Sequence, residues 1–234
     1  MPMASNDSYP KLLSLAVHEL RTPASVVGGY LRMLQRDDDS PLNERQRKMI
    51  SEAEKSCARL VQLVAELSDV SKLDAGLIAL ARQPLDAFAL AEEVAGGVHE
   101  AEDREVRLEV RGASAGAPIT GDAGRLRTAF HSIFRAILRE QPAAGVVVAD
   151  CRRELDGTAG RAVIVVARSE YVQAAYSAPA SDFDDKRGGL GLLLPIARRV
   201  IEANGGRITS PVEPENADTA AGRGAAVITF PLRS

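Results

Sequence analysis

The amino-terminal third of the chain carries apolar residues at helical spacing. Leucine and valine recur there every seven residues, at Leu13, Leu20, Val27 and Leu34. This is the spacing of a helix that packs against another helix. We therefore predict a helix over 11–36, interrupted at Pro23, where the missing N–H and the ring bend a helix. On an ideal helix His18 lies opposite the apolar row, so we expect it to face water.

A second helical pattern covers residues 44–74. Its apolar residues form two heptad rows, Ile50, Cys57 and Val64 in one and Ala53, Leu60 and Leu67 in the other. The segment 37–43 between the two patterns is rich in Asp and contains Pro41, which is typical of a turn. Two amphipathic helices joined by a turn form an antiparallel hairpin. A lone hairpin leaves one side of its apolar seam uncovered, so we predict a homodimer that forms a four-helix bundle.

The pattern changes after Gly76, which we predict to cap the second helix. From Leu77 onwards short runs rich in β-branched residues mix with amphipathic helical segments, without a regular strand–helix period. The predicted strands are 77–81, 106–110, 119–120, 146–151, 162–167 and 227–232, and the predicted helices are 87–101, 123–140 and 192–204. This order favours an α+β domain with helices layered on one face of a sheet. We therefore predict two domains, 1–76 and 77–234.

Composition narrows the classes of function. The chain has 234 residues, of which 45% are hydrophobic and 26% charged, with a net charge of −3. This charge gives no electrostatic reason to expect nucleic acid or an anionic membrane as a partner. No apolar run reaches the roughly 18 residues of a membrane-spanning helix, and the first residues lack the basic and apolar regions of a signal peptide. We therefore expect a soluble, cytoplasmic protein without a membrane span.

One histidine stands out on the polar side of the first helix. His18 is followed directly by Glu19 and, one helical turn later, by Thr22 and Pro23. A lone exposed histidine is usually incidental, but this combination on a heptad helix is much harder to reach by chance. A neutral imidazole is a nucleophile. We therefore interpret His18 as a phosphoryl carrier.

The segment His18–Pro23 resembles the phosphoacceptor motif of the sensor histidine kinases of two-component signalling. Four further segments resemble the family's ATPase domain: Gln83–Asp86 its entry, Gly121–Leu126 the lead-in to its asparagine-bearing helix, and 189–208 and 222–232 its second and third glycine boxes. The resemblance covers nearly the whole chain. It implies a phosphotransfer hairpin followed by an α/β-sandwich domain of the histidine-kinase ATPase type.

The resemblance also assigns roles to three residues of the hairpin. His18 would carry the phosphoryl group on an imidazole nitrogen. Glu19 would orient the ring and assist proton removal. Thr22 would position a water for attack on the phosphoaspartate of a receiver domain, which is the family's phosphatase reaction. All three positions match the motif.

The ATPase half departs from the family at the metal position. The magnesium-binding asparagine aligns with Ala136, whose methyl group cannot coordinate a hard cation that takes oxygen ligands. Its companion, one helical turn earlier, aligns with Ser132. No asparagine lies between Asn43 and Asn204, so no small shift of the alignment supplies the missing ligand.

The family's Asp-x-Gly-x-Gly motif is also lost. It aligns with Ala167, Ser169 and Tyr171. Ala167 lacks the carboxylate that accepts the adenine amino group, a charged hydrogen bond worth roughly 1.5–3 kcal/mol. Ser169 and Tyr171 restore side chains where glycine gives room and backbone freedom.

The second glycine box is a remnant. Gly189 and Gly191 remain, whereas Leu193 replaces the last glycine, and the span from Tyr171 to Gly188 is short for a nucleotide lid. The acidic run 182–185 resembles a metal cluster, but in a short loop it is more often a solvated turn. Phosphoryl transfer from ATP needs the metal, the adenine contact and the phosphate cradle together. We therefore expect no intact nucleotide site, no bound metal and no cofactor.

These observations predict a two-component phosphorelay protein. His18 would exchange a phosphoryl group with the aspartate of a response-regulator receiver domain, with dephosphorylation through Thr22. The phosphoryl group would come from another protein, such as an upstream histidine kinase. Two alternatives stay open. One is a divergent ATP-dependent sensor histidine kinase with ATP and Mg²⁺ as cofactors, which the retained Glu19 favours. The other is a non-catalytic pseudokinase scaffold.

Overall fold

The computed structural model describes residues 8–36, 42–99, 104–142, 144–156, 159–212 and 224–233. The chain divides into two compact units, Met1–Ile78 and Ala79–Ser234. In the described part of the chain no helix is both long enough and apolar enough to cross a membrane. Residues 37–41 of the predicted turn and residues 222 and 223 of the third glycine box lie outside the described residues.

The first unit is a hairpin of two long helices, α1 (Ser8–Gln35) and α2 (Glu44–Asp74). The bounds of α2 are those predicted. Asn43 starts α2 with a reciprocal cap, because its side chain accepts the Gln46 N–H at 2.9 Å and the Gln46 side chain accepts the Asn43 N–H at 3.0 Å. The predicted interruption of α1 is wrong, since the helix continues through Pro23. Proline removes one backbone bond there, and the turns on either side keep theirs.

Gly76 caps α2 as predicted. Its φ of +64° is a left-handed conformation that favours glycine. The Gly76 N–H donates to the Leu73 carbonyl at 3.0 Å, and the Leu77 N–H donates to the Lys72 carbonyl at 2.9 Å. This pair of bonds is a Schellman motif, which satisfies carbonyls that the end of the helix leaves unpaired.

Within one hairpin, α1 packs against α2 through a face other than the heptad row. The predicted row is largely exposed, at 52% for Leu20, 52% for Val27 and 47% for Leu34. Val17 and Gly28 are buried instead. Gly28 lies against Cys57 of α2, and a β-carbon at Gly28 would lie 3.2 Å from the Cys57 sulfur. Small residues let the helices approach closely on this side, so the bulky heptad row remains on the surface.

The second unit is an α+β domain, as predicted. Its described elements, in chain order, are β1 (Gln83–Asp86), α3 (Ala87–Ala95), β2 (Val106–Gly112), β3 (Pro118–Gly121), α4 (Ala123–Glu140), β4 (Gly145–Asp156), β5 (Ala159–Arg168), α5 (Val172–Ser177), β6 (Ala180–Asp182), α6 (Leu193–Ala203), β7 (Arg207–Pro211) and β8 (Ala226–Pro231). The main sheet has the order β2-β4-β5-β8-β7-β6, with only the β2–β4 pair parallel, and β1 pairs with β3 in a separate antiparallel ribbon.

Two predicted elements of this unit are corrected. The strand predicted at 77–81 is wrong, because those residues are irregular and the strand is Gln83–Asp86, where β3 offers a pairing edge. The helix predicted at 87–101 ends at Ala95, because Gly96 and Gly97 follow and glycine disfavours helix. The short elements α5, β6 and β7 were not predicted.

The main sheet has two different faces. One face packs against α4, and the residues Ile164, Ile228 and Phe230 are buried there. The Phe230 ring packs edge-on against the ring of Phe130 of α4, with 6.3 Å between the ring centres. Alternate residues of the strands point to the other face. There the buried residues Val148, Val163, Val165 and Ala167 form a cluster with Val172 and Ala175 of α5. We call this second surface the α5 face.

Candidate functional site

The hairpin presents a histidine and its neighbouring acid to solvent. The side chains of His18 and Glu19 are 79% and 72% exposed, and the His18 Nδ1 lies 3.4 Å from a carboxylate oxygen of Glu19. A carboxylate at this nitrogen favours the tautomer with its proton on Nδ1, which leaves the lone pair on Nε2. The ring is therefore placed to act as a nucleophile at Nε2.

The local helix fixes where these groups point. Val17, the residue before His18, is buried in the hairpin, which anchors this turn of α1. Thr22 is exposed and lies four residues after His18, so both side chains share one helix face. The three residues predicted to carry the chemistry are thus neighbours on one accessible surface of α1.

The sheet domain places Ala136 in a packed interior. Ala136, on α4, is fully buried. The backbone of Gly188 lies directly against it, since a β-carbon at Gly188 would be 2.7 Å from the Ala136 Cα and 2.9 Å from its Cβ. The position therefore carries no ligand atom and leaves no room for a longer side chain. The residues present here do not fit a magnesium ion.

Two side chains of α4 on either side of Ala136 make hydrogen bonds within the protein. The buried Ser132 hydroxyl donates to the Thr128 carbonyl at 3.0 Å, one turn back along α4. Glu140, one turn after Ala136, accepts the Gly188 N–H at 3.1 Å. Over the described ranges, no group of three or more His, Cys, Asp or Glu side chains is placed to hold a metal ion.

The residues aligned with the adenine motif lie at the end of β5 and just before α5. Ala167 is fully buried on the α5 face, where it packs with Val172. The Ser169 hydroxyl donates to Glu170 at 3.1 Å, and Tyr171 immediately precedes α5. Ala167 thus belongs to the α5 face, whereas α4, which carries Ala136, packs on the other face of the sheet through Phe130 and Phe230. The loss of the adenine contact stays a prediction.

Both glycines that remain in the second glycine box have left-handed backbone conformations. Gly189 and Gly191 have φ of +61° and +64°, conformations that favour glycine. Leu193 is the first residue of α6, half-buried, and its N–H bonds to the Leu190 carbonyl at 3.4 Å. Glycine is thus retained at two positions where the chain turns sharply.

Sequence reasoning missed Arg187, which is only 8% exposed. Its guanidinium donates to the Ala225 carbonyl at 2.8 Å, the Ser210 hydroxyl at 2.8 Å and the Asp184 carbonyl at 3.0 Å. It also lies 5.0 Å from the centre of the buried Phe183 ring. Burial lowers the pKa of Arg187, and its partners keep the cation satisfied. An arginine beside two glycines gives no sequence signal of burial.

Comparison with a family model supports the hairpin. Residues 11–76 match the His Kinase A (phospho-acceptor) domain. The circadian input-output histidine kinase CikA of Synechococcus elongatus is 27% identical over 89% of this chain and 29% of its own length. The sensor protein DivL of Caulobacter vibrioides is 29% identical over 86% of this chain and 26% of its own length. The chain thus spans less than a third of either relative.

Solved structures share the fold. The crystal structure of full-length ShkA in complex with AMPPNP has a TM-score of 0.66 and 24% identity, and the match covers 96% of this chain and 46% of ShkA. The Acinetobacter baumannii histidine kinase AdeS has a TM-score of 0.51 and 18% identity, over 92% of this chain and 96% of its own. At these identities the likeness shows the arrangement of helices and strands.

Proposed function

The chain belongs to the two-component histidine kinase family, and from this premise we propose that it is a phosphorelay protein loaded by another protein. His18 exchanges a phosphoryl group with the aspartate of a response-regulator receiver domain. The contact between Gly188 and Ala136 carries the proposal, because it leaves no place for a magnesium ligand. The exposed His18 and Glu19 remain available for the transfer.

The transfer is a nucleophilic exchange at phosphorus. The His18 Nε2 lone pair attacks the phosphorus of the receiver's phosphoaspartate, forming a P–N bond as the bond to the carboxylate oxygen breaks and the carboxylate leaves. Glu19 holds the proton on Nδ1 and stabilises the charge that the ring gains. Running the same steps backwards passes the group to a second receiver. Thr22, on the same face, positions a water for hydrolysis of a receiver's phosphoaspartate.

The hairpin's surface supports a homodimer. Leu20, Val27 and Leu34 expose about half of their side-chain surface along one side of α1, and Leu60 of α2 is similarly exposed. An apolar stripe of this length is typical of an interface, and a second hairpin would cover it in a four-helix bundle. Light scattering tests this: Val27→Asp should give a monomer, whereas Ser25→Asp, at an exposed polar position of the same helix, should leave the dimer intact.

Phosphotransfer to His18 is the decisive experiment. A receiver domain is labelled with radioactive acetyl phosphate, freed of the reagent and mixed with the wild-type chain or with His18→Ala. We expect acid-labile label on the wild type and none on His18→Ala. Lack of transfer from a panel of receivers of the source genome would overturn the proposal.

The same two proteins distinguish the alternatives. Incubation with labelled ATP and Mg²⁺ should leave both unlabelled. Label on the wild type that is absent from His18→Ala would show an ATP-dependent kinase instead. If neither donor labels the chain and His18→Ala works as well as wild type in cells, the protein is a scaffold.

A further inference from the structure

The loop before α6 is closed against the domain by one buried arginine. Arg187 begins a short 3₁₀ turn, Arg187–Gly189. Its guanidinium bonds to Ser210 on β7 and to the carbonyl of Ala225, which directly precedes β8. Both bonds are 2.8 Å long, so the loop is tied to two neighbouring strands of the sheet.

The other side of the loop is tied to α4. The Gly188 N–H donates to the Glu140 carboxylate at 3.1 Å, and the Gly188 backbone contacts Ala136. A substituent at Gly188 would collide with α4, and its φ of +66° also favours glycine. The loop is therefore held from both sides by groups of this chain.

These two attachments place one anion and one cation of the protein at the glycine-box loop. Glycine-rich loops ordinarily aim backbone N–H groups at phosphate oxygens, and a cation balances the phosphate charge. Here a carboxylate oxygen of Glu140 accepts the Gly188 N–H. The residue before Gly188 is Arg187, a buried cation whose charged form the negative charge of Glu140 favours.

We propose that Arg187 and Glu140 form an internal latch that orders the glycine-box loop in the role a nucleotide phosphate and its metal would otherwise have. The proposal rests on the loss of the nucleotide site in the proposed function. The latch keeps the loop against Ala136 without any ligand. Because the loop is already ordered, adding ATP and Mg²⁺ should not order it further. Because the guanidinium is buried and makes three hydrogen bonds, removing it leaves their acceptors unsatisfied.

Amide hydrogen exchange of the full chain, without nucleotide, tests the latch. A peptide covering 184–191 should be protected in the wild type. Arg187→Lys keeps the charge but lacks the planar fork that reaches three acceptors, so we expect exchange in this peptide to rise about tenfold or more. Glu140→Gln keeps an acceptor and removes the charge, so we expect a smaller rise in the same peptide. A peptide covering 106–112, in β2, should be unchanged.

Thermal unfolding supplies the matched control. Arg187→Ala should lower the unfolding temperature of the sheet domain by about 10 °C, since a buried charged network is broken in a domain of this size. Arg207→Ala, at an exposed arginine on β7, should change it by no more than about 2 °C. If Arg187→Ala does not fold, the exchange data on Arg187→Lys decide.

Two results would overturn the latch. One is rapid exchange of the 184–191 peptide in the wild type, equal to that in Arg187→Lys. The other is clear protection of this peptide on adding ATP and Mg²⁺ to the wild type. Neither measurement involves His18 or a receiver domain. A chain that takes label from a receiver but has an unprotected loop would sink the latch alone.

Discussion

The hairpin and the sheet domain each contain a group of residues singled out above, and the two groups lie in opposite environments. On the hairpin, His18 and Glu19 stand in solvent with one long contact between them. In the sheet domain, Arg187 is buried among oxygen partners and Ala136 is packed against Gly188. A reactive group must be reachable, whereas a buried polar group must be satisfied. Under the proposed function, phosphotransfer depends on the hairpin alone, so substitutions in the sheet domain should change its stability without changing phosphotransfer.

The largest expected effect is that of Phe130→Ala, which should lower the stability of the sheet domain and leave phosphotransfer unchanged. Phe130 is fully buried and packs against Phe134 and Phe230, with ring centres 6.0 and 6.3 Å away. Phe130→Ala should destabilise the sheet domain by about 3–5 kcal/mol through lost burial and a cavity. Denaturant unfolding measures this. Uptake of label from a receiver, assayed where the domain is still folded, should stay within about twofold of wild type.

The control for this variant is Leu155→Ala. Leu155 is 86% exposed on β4, so its truncation should change neither stability nor label uptake. Loss of label uptake by a folded Phe130→Ala protein would show that the sheet domain takes part in the transfer. Phosphotransfer would then not depend on the hairpin alone.

The next effect should be on chemistry alone. Glu19→Gln keeps the size of the side chain but weakens its hold on the Nδ1 proton, so phosphoryl transfer to His18 should slow by about 10²-fold. The unfolding temperature should not change, because Glu19 is exposed. Rapid-quench assays with a labelled receiver measure the rate. Glu52→Gln, at an exposed glutamate of α2, serves as the control and should accept the phosphoryl group at the wild-type rate. An unchanged rate in Glu19→Gln would show that Glu19 does not act by holding the Nδ1 proton of His18.

Long periodic elements were predictable from sequence because their signals are local. The heptad rows of α2 lie within 31 residues of continuous helix, and its cap Asn43 directly precedes them. The heptad row of α1 did not indicate which residues of α1 contact α2 within one chain. Gly28 and Cys57 decide this by allowing a close approach.

The sheet domain was harder to predict because its contacts are distant in sequence. The apolar run 77–81 looked like a strand, but only Gln83–Asp86 finds a pairing edge, about 35 residues further along the chain. Arg187 is buried by partners at Ser210 and Ala225, some 23 and 38 residues away. Composition around residue 187 carries no trace of these contacts. The sequence alone shows that Ala136 has no ligand atom. The packing of Gly188 against Ala136 could not be predicted from it.

A substitution with an intermediate expected effect tests whether a metal ligand can be restored at position 136. Ala136→Asn supplies the missing ligand type, but its side chain would collide with the loop at Gly188. We expect a loss of about 1–3 kcal/mol in stability from overpacking, without binding of ATP and Mg²⁺ in calorimetry. Thr128→Asn, at an exposed position of the same helix, should cost no more than about 0.5 kcal/mol. Tight ATP binding by Ala136→Asn would show that the surroundings of residue 136 can still accept a nucleotide. The sheet domain would then be a binding domain that lacks only its metal ligand.

The smallest effect concerns a carboxylate that serves structure alone. Asp86 caps α3 by accepting the N–H groups of Phe88 and Ala89 at 3.0 and 3.2 Å, and it also accepts those of Gly116 and Ala117 at 2.6 and 3.1 Å. Burial raises the pKa of Asp86, but these four backbone bonds outweigh it, so the pKa is held below its usual range. Its contribution to stability is therefore present above the pKa of the unfolded chain and is lost as the pH falls through the lower folded pKa.

Asp86→Asn should accordingly destabilise the sheet domain by about 1 kcal/mol at pH 7, as the loss of a helix cap typically does. The difference from wild type should shrink below about pH 4, where the carboxyl of the unfolded wild type takes up a proton. Urea unfolding at pH 7 and pH 3 measures both, with Asp182→Asn, an exposed aspartate of the same domain, as the control. A difference that persists unchanged at pH 3 would mean that the charge of Asp86 does not stabilise the domain. Label uptake by His18 should be the same in both variants, because this carboxylate is committed to backbone N–H groups of its own domain.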